Sequence, residues 1–314
     1  MNSPVLHIVT YHYVRDLPRT RFPRIKGMLT SDFRRQVAEL SDCFEMATLE
    51  SALAFLKGEY RPAADLCLLT FDDGLKEHFT EATPVLAERG IQGVFHVITG
   101  CLEERQVAPV HMNHFLMATL PFDEYRDGLL KEIGGNLDAL DDVVVQRTYP
   151  WDVPEVAAFK YLFNFVLQPS ERDAAVGSLF HRYLGDEETF SRELYLSWEE
   201  AREMQSAGMS LGGHTHAHRP VSKLSESDML EDLTACRRLL DANLSTASLW
   251  PFCFPYGKRD SFNRESVEVL RQLGFDCAFT TESEVNRPGV DLFGVNRVDC
   301  KNAPRGRSGK VSAA

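Results

Sequence analysis

The chain lacks an apolar run of the roughly 20 residues that a membrane helix needs. It also has no Cys-x-x-Cys pair, no excess of basic charge and no histidine beyond His218. Each absence excludes a class of protein. Without the apolar run there is no transmembrane segment to expect. The seven cysteines are odd in number and scattered singly, so neither a disulfide framework nor a zinc ribbon is indicated. Those in apolar runs, Cys67, Cys253 and Cys277, read as small core residues. The net charge of −12 argues against nucleic acid or an anionic membrane surface as a partner. No basic start leads into an apolar stretch and a small-residue cleavage site. Instead Val5-Leu-His-Ile-Val-Thr10 reads at once as a strand, and the expected location is cytoplasmic. Oligomeric state is left open.

Two short runs stand out against this background: Thr70-Phe71-Asp72-Asp73-Gly74 and His214-Thr215-His216-Ala217-His218. Alone, Asp-Asp-Gly reads as an ordinary turn, and a surface loop that happens to be rich in histidine is the lesser alternative for the second run. Each, however, follows a buried-strand pattern: Leu66-Cys-Leu-Leu69 before the first, Met209-Ser-Leu211 before the second. Histidines four apart aim both imidazoles at one point in a helical turn or tight loop. Adjacent aspartates cannot both point at one atom in the same way, so one is free to bind a metal while the other takes a proton from water. Hydrolysis over a divalent metal requires that set of groups.

Around these runs the chain repeats a unit of helix, glycine and strand. The unit covers 82–98, 199–211 and 264–280, and Ser197-Trp-Glu-Glu200 forms a capping box before the second helix. Strands alternating with helices imply parallel strands with right-handed crossovers. This pattern fits an open doubly wound sheet and a (β/α) barrel equally. Residues 101–196 break the rhythm. They read as mostly helical, over 113–120, 123–133, 153–167 and 170–184, and are expected to form an inserted helical cap within a domain spanning 1–300. The tail 301–314, with four basic residues and no acid, is expected to be disordered.

The two motifs resemble those of NodB-homology polysaccharide deacetylases, a carbohydrate esterase family, whose first motif is T-F-D-D-G and whose second is H-[ST]-x-x-H. Pro255-Tyr256-Gly257, after the apolar run from Leu249 to Phe254, resembles the end of the third motif. Segment 197–224 also resembles the family's surroundings of its second motif. The likeness covers residues 5–99 and 197–300; the insertion does not share it. It implies a distorted (β/α) barrel, commonly of fewer than eight strands, with the active site beyond the C-terminal strand ends.

It further implies that Asp73, His214 and His218 bind one divalent metal, foremost Zn²⁺, with Co²⁺, Mn²⁺ or Ni²⁺ as alternatives. Asp72 would be the general base, and the backbone N–H of Tyr256 an oxyanion donor. His216 is expected outside the ligand set. Two departures matter. Cys253 stands near the place of the family's base-supporting arginine, and no histidine occupies the late strand that normally supplies the general acid. Arg297 is a candidate to replace the arginine by reaching back to Asp72. His12, at the end of the first strand, is the candidate acid, with a hydrogen-bonded core histidine as the equally weighted alternative; His111 and His114 are weaker candidates. The implied activity is N-deacetylation of an aminosugar in glycan biosynthesis, on a free sugar, a sugar nucleotide or a lipid-linked oligosaccharide. The alternatives are hydrolysis of an O-acetyl ester or another small amide, and a catalytically silent glycan-binding relative.

Overall fold

A computed structural model describes residues 3–134 and 141–305. Eight strands form one sheet: β1 (Leu6–Tyr11), β2 (Glu45–Met46), β3 (Leu66–Phe71), β4 (Gly93–Val97), β5 (Ser210–Gly213), β6 (Pro251–Cys253), β7 (Cys277–Phe279) and β8 (Val298–Asp299). Their order is β7-β6-β5-β4-β3-β1-β8, all parallel, with β2 added beside β3. The sheet curls until its edges meet. Phe279 of β7 bridges to Val295, and three residues later Val298 pairs with Val9 of β1. This is the (β/α) barrel fold, distorted by very short strands at β2 and β8.

The strands are apolar on both faces because helices cover the outside while side chains fill the inside. Leu6 and Ile8, Leu66 and Leu68, Val94, Cys253, Cys277, Phe279 and Val295 share one inner cluster with the helix Leu49–Leu56. On the outer face Phe71 stacks on Phe95 at 4.5 Å and on Tyr11 at 5.0 Å. The two-residue period carries the inner row onward to Thr10, Thr70, Asp72 and His96, all buried. A polar layer therefore lies directly above the apolar layers, at the C-terminal ends of the strands.

The helix-glycine-strand reading holds locally. Gly90, Gly208 and Gly274 take φ of +64°, +88° and +76°, and Ser197 and Glu200 form the reciprocal capping box. The apolar pattern does not reveal β2 or β8, and only the family resemblance puts a late strand in the region of 296–299. Each is two residues long, too short to show a period.

The chain divides into two compact units. One holds the barrel: 1–16, 26–105 and 192–314. The other joins 17–25 to 106–191. Within the second, helices Pro109–Thr119, Phe122–Ile133, Pro154–Tyr161 and Pro169–Leu184 replace the expected ones with small shifts at their ends. The expected helix 153–167 loosens into a π-helical turn over Leu162–Val166, and Asp142–Thr148 is an additional helix. Segment 17–25 contributes Phe22, edge-on to Phe115 at 4.8 Å, and Arg24, which donates to the Ala118 carbonyl at 2.7 Å. Of the expected disordered tail, Lys301 and Asn302 belong to a short 3-10 turn from Cys300, and residues 306–314 lie outside the described residues. No helix among the described residues is long and apolar enough to cross a membrane.

Candidate metal centre and active site

Asp73 follows β3 with φ of +80°, and Gly74 with +65°. This left-handed turn costs a non-glycine residue on the order of 1–3 kcal/mol. It swings Asp73 away from the direction of Asp72. The His214 run is strained in the same way, with φ of +64° at Thr215 and +54° at His218. Asp232, buried on the helix Glu226–Asn243, holds that loop by accepting from the N–H groups of His216 (2.8 Å) and Ala217 (3.0 Å). From the other side the N–H groups of Thr99 and Gly100 donate to the carbonyls of Thr215 and His216. A Cβ on Gly100 would lie 2.6 Å from the His216 carbonyl oxygen, so only glycine allows this approach.

The two strained turns bring Asp73, His214 and His218 together. Asp73 Oδ1 lies 3.5 Å from His214 Nε2 and 3.4 Å from His218 Nε2, and all three residues are buried. The Nδ1–H of His214 donates to the Cys253 carbonyl at 2.7 Å. A carbonyl only accepts, so this bond leaves Nε2 as the nitrogen available to ligate an ion. Ligand atoms about 2.1 Å from a common ion in a tetrahedral set stand about 3.4 Å apart. The spacing and the mixed carboxylate and imidazole donors therefore fit a divalent ion of the zinc type. His216 is not part of this set. Its ring meets Thr99 Oγ1 and Glu104 Oε1, each at 3.1 Å.

Asp72 continues the inner row of β3 and points into the polar layer. Arg297 lies between the two closing contacts of the barrel, which turns its wholly buried guanidinium inward. It grips Asp72 with two bonds, Nη1 to Oδ1 at 2.9 Å and Nη2 to Oδ2 at 2.6 Å. Further bonds from Arg297 to the Thr280 carbonyl, Thr70 Oγ1 and Cys253 Sγ use its remaining donors. His96 Nδ1–H donates to Asp72 Oδ1 at 2.9 Å, while Thr10 Oγ1 and Cys253 Sγ approach Oδ2 at 3.4 and 3.5 Å. Burial pushes the Asp72 carboxyl up, but the Arg297 guanidinium and the His96 bond outweigh it and hold the group well below the usual carboxylate range. Burial pushes His96 down to about 4, so its ring is neutral at physiological pH.

His12 stands at the rim. Its side chain is 43% exposed, and its Nε2 lies 3.8 Å from Asp72 Oδ2. The Tyr256 ring lies 5.3 Å from that of His218. Tyr256 and Gly257 both have positive φ, and their carbonyls accept from Thr281 Oγ1 and N. A Cβ on Gly257 would sit 2.7 Å from Thr281 N, so glycine is required there. His111 and His114 lie on the helix Pro109–Thr119 of the other unit, with ring centroids 6.0 Å apart.

Sequence reasoning missed His96, Cys253 and Asp232 as parts of the site. For His96 the signal was present: it follows Val94 by two residues near the end of an apolar strand, so it had to face the inside. Cys253, read as a core residue standing near the place of the missing arginine, is buried as expected, but its thiol touches both Asp72 and Arg297. Asp232 gave no local signal, because its partners are backbone groups sixteen and fifteen residues away.

The family model described as polysaccharide deacetylase matches residues 60–155 and 171–278. No curated protein sequence matches. Among solved structures, the deacetylase PplD of Streptococcus pyogenes, in complex with acetate, superposes with a TM-score of 0.58 at 15% identity, over 95% of this chain and 93% of that one. IcaB from Ammonifex degensii gives 0.56 at 23% identity, over 94% and 91%. The BpsB deacetylase domain of Bordetella bronchiseptica gives 0.56 at 16% identity, over 95% and 98%. At such identities these likenesses show the fold, whereas the family match spans well over half of the sequence: the chain belongs to the polysaccharide deacetylase family.

Proposed function

We propose that the protein is a metal-dependent N-deacetylase that removes the acetyl group of an N-acetylated aminosugar during glycan biosynthesis. The observation that carries this reading is the pairing of two unlike carboxylates. Asp73 converges with two imidazoles at ligand spacing, while Asp72 beside it is held by a buried guanidinium. Asp73, His214 and His218 would hold the ion, with Zn²⁺ best suited to the donor set. When bound, such an ion supplies Lewis-acid polarisation of the acetyl carbonyl and lowers the proton affinity of the attacking water.

The protein's own groups divide the remaining work. Held well below the usual carboxylate range, Asp72 is ionised at neutral pH and so can accept the proton of the attacking water. Arg297 and His96 fix its orientation; they also weaken it as a base, and this suits a water already made acidic. The Tyr256 N–H, on its pinned turn, donates to the oxygen that becomes negative as the carbonyl carbon turns tetrahedral. His12 donates a proton to the departing amine from the solvent-facing side. The donor is essential because an amine without it leaves far less readily than an alcohol or a phenol. Substrates of the right class are an N-acetylated sugar, a sugar nucleotide or a lipid-linked oligosaccharide.

Acetate release from a panel of these compounds, with metal-stripped and metal-restored protein, tests the reading. Release from at least one N-acetylated sugar, lost on stripping and regained with Zn²⁺, is expected. Release only from O-acetyl esters would replace the amide by an ester substrate. No release from any would make the protein a silent member of its family.

A further inference from the structure

Soon after the Asp72–Asp73–Gly74 loop the chain enters a helix at Lys76 that widens at once. It makes one π-helical turn, His78–Ala82, in which the Thr83 N–H reaches the His78 carbonyl. Such turns are rare and recur at functional sites. Here the turn places two polar side chains, Glu77 and His78, toward the loop that follows β1. His78 is fully buried, and its Nε2–H donates to the His12 carbonyl at 3.0 Å. Glu77 Oε1, also buried, accepts from Arg15 at 2.8 Å (Nε) and 2.5 Å (Nη2). The loop 12–15 is thus gripped at its first and last residues by neighbouring residues of one turn. Met28 completes the hold from the far side: its N–H donates to the Tyr13 carbonyl and its carbonyl accepts from Arg15 N.

Little else ties the His12 side chain down. It is partly exposed, and its one close polar neighbour among the described contacts is Asp72 at 3.8 Å. Its position therefore follows from its backbone. His78 is an unusual choice for a purely structural donor. Its other nitrogen, Nδ1, is buried with no hydrogen-bond partner among the described residues, a cost that an apolar side chain would avoid. The rings of Phe71 and Phe95 pack against it with centroids 5.5 and 5.7 Å away, which restricts its rotation.

We infer that His78, with Glu77, is a positioning residue: it clamps the His12 loop to the metal-site loop and so sets the distance at which His12 meets the leaving group. The inference rests on the reading of His12 as the proton donor. Because Glu77 and His78 follow Asp73 and Gly74 by only a few residues, a short connection links the His12 loop to the loop of the metal ligand. Misplacing a catalytic group by about 1 Å can cost on the order of 100-fold in rate.

The test is a double-mutant cycle on His12→Ala and His78→Leu, read on an N-acetylated sugar and on nitrophenyl acetate, whose leaving group needs no proton. His78→Leu is expected to slow the amide by about 10-fold or more and the ester far less. In the His12→Ala background it should add nothing, because its effect passes through His12. His78→Gln, whose amide can donate from a similar position, should restore most of the amide rate. Full additivity of the two losses, or equal loss on both substrates, would overturn the clamp. Should His78→Leu fail to fold, Glu77→Gln carries the same expectation and the same contradiction. If His12→Ala itself slows both substrates equally, the acid assignment falls. The clamp is then decided by a crystal structure of the His78 or Glu77 variant, where an unmoved His12 ring contradicts it and a displaced one supports it.

Discussion

Two polar clusters sit side by side at the C-terminal rim of the barrel. In the first, Asp72 lies at the end of β3 and its carboxylate is saturated: Arg297, His96, Thr10 and Cys253 all point hydrogens at it. In the second, Asp73 has turned through a left-handed backbone to face the Nε2 atoms of His214 and His218 at 3.4 to 3.5 Å. The first cluster neutralises its own charge with a resident cation, the guanidinium. The second gathers a carboxylate and two imidazoles round a point, and a metal ion is the cation that the donor set suits. Adjacent residues of sequence therefore end in two settings, one carboxylate held ionised by a guanidinium and the other set at ligand spacing with two imidazoles.

The sharpest way to break this comparison is to neutralise Asp72 alone. Asp72→Asn keeps the shape but cannot take the water proton, so acetate release should fall by about 10²–10⁴-fold. A variant that stays active would remove Asp72 from the chemistry. The next largest effect falls on stability. Arg297→Met leaves a buried carboxylate without its partner, which costs on the order of 3–5 kcal/mol; Arg297→Lys should recover only part, because an ammonium cannot make the two-bond grip. Urea unfolding would measure both, and an unchanged midpoint for Arg297→Met would show that the pair is not what holds the first cluster.

A smaller effect belongs to the second cluster. Asp232 touches no ligand side chain, yet it fixes the strained loop that carries two of them. Asp232→Asn should weaken metal affinity by about 10–100-fold in chelator competition while leaving the fold intact. Unchanged affinity would mean that the contacts of Thr99 and Gly100 suffice to hold the loop.

The last effect is a gradual one, spread over pH. Burial drives His78 down to about 4, with the His12 carbonyl, Asp73 and Asp72 pulling the other way and a protonated His12 adding to the fall. Because the folded value lies below the unfolded one, His78 does not penalise stability above about pH 6.5. Between about 6.5 and 4 the unfolded chain takes up a proton that the folded chain refuses, and stability falls by up to about 1.4 kcal/mol per pH unit. Removing that histidine in His78→Gln should make the decline of unfolding free energy with falling pH shallower over this window. Parallel curves for wild type and variant would contradict it.

The legibility of these features follows the range of the interactions that make them. The strands β1, β3 and β4 are visible because burial on both faces leaves a continuous apolar run. The two motifs are visible because their functional atoms lie within five residues of each other. Two helix starts inside the 101–196 region lie earlier than the apolar period puts them, at Pro109 and Pro169, because a proline opens each helix, while the helix expected from 153 starts one residue later at Pro154. Arg297 could be singled out only because an expected arginine was missing elsewhere; its grip on Asp72 spans 225 residues. The π-helical turn over His78–Ala82 was not legible, since one inserted residue in so short a helix leaves no period to read. Likewise nothing in residues 17–25 signals that Phe22 and Arg24 pack with helices a hundred residues later.

The central claim is that adjacent aspartates divide base from ligand. Zinc titration of the metal-stripped wild type, Asp72→Asn and Asp73→Asn, followed by isothermal calorimetry, tests it most directly. The account predicts one equivalent bound by the wild type and by Asp72→Asn, with comparable affinity, and a large loss in Asp73→Asn. Equal binding by both variants, or a loss confined to Asp72→Asn, would contradict it.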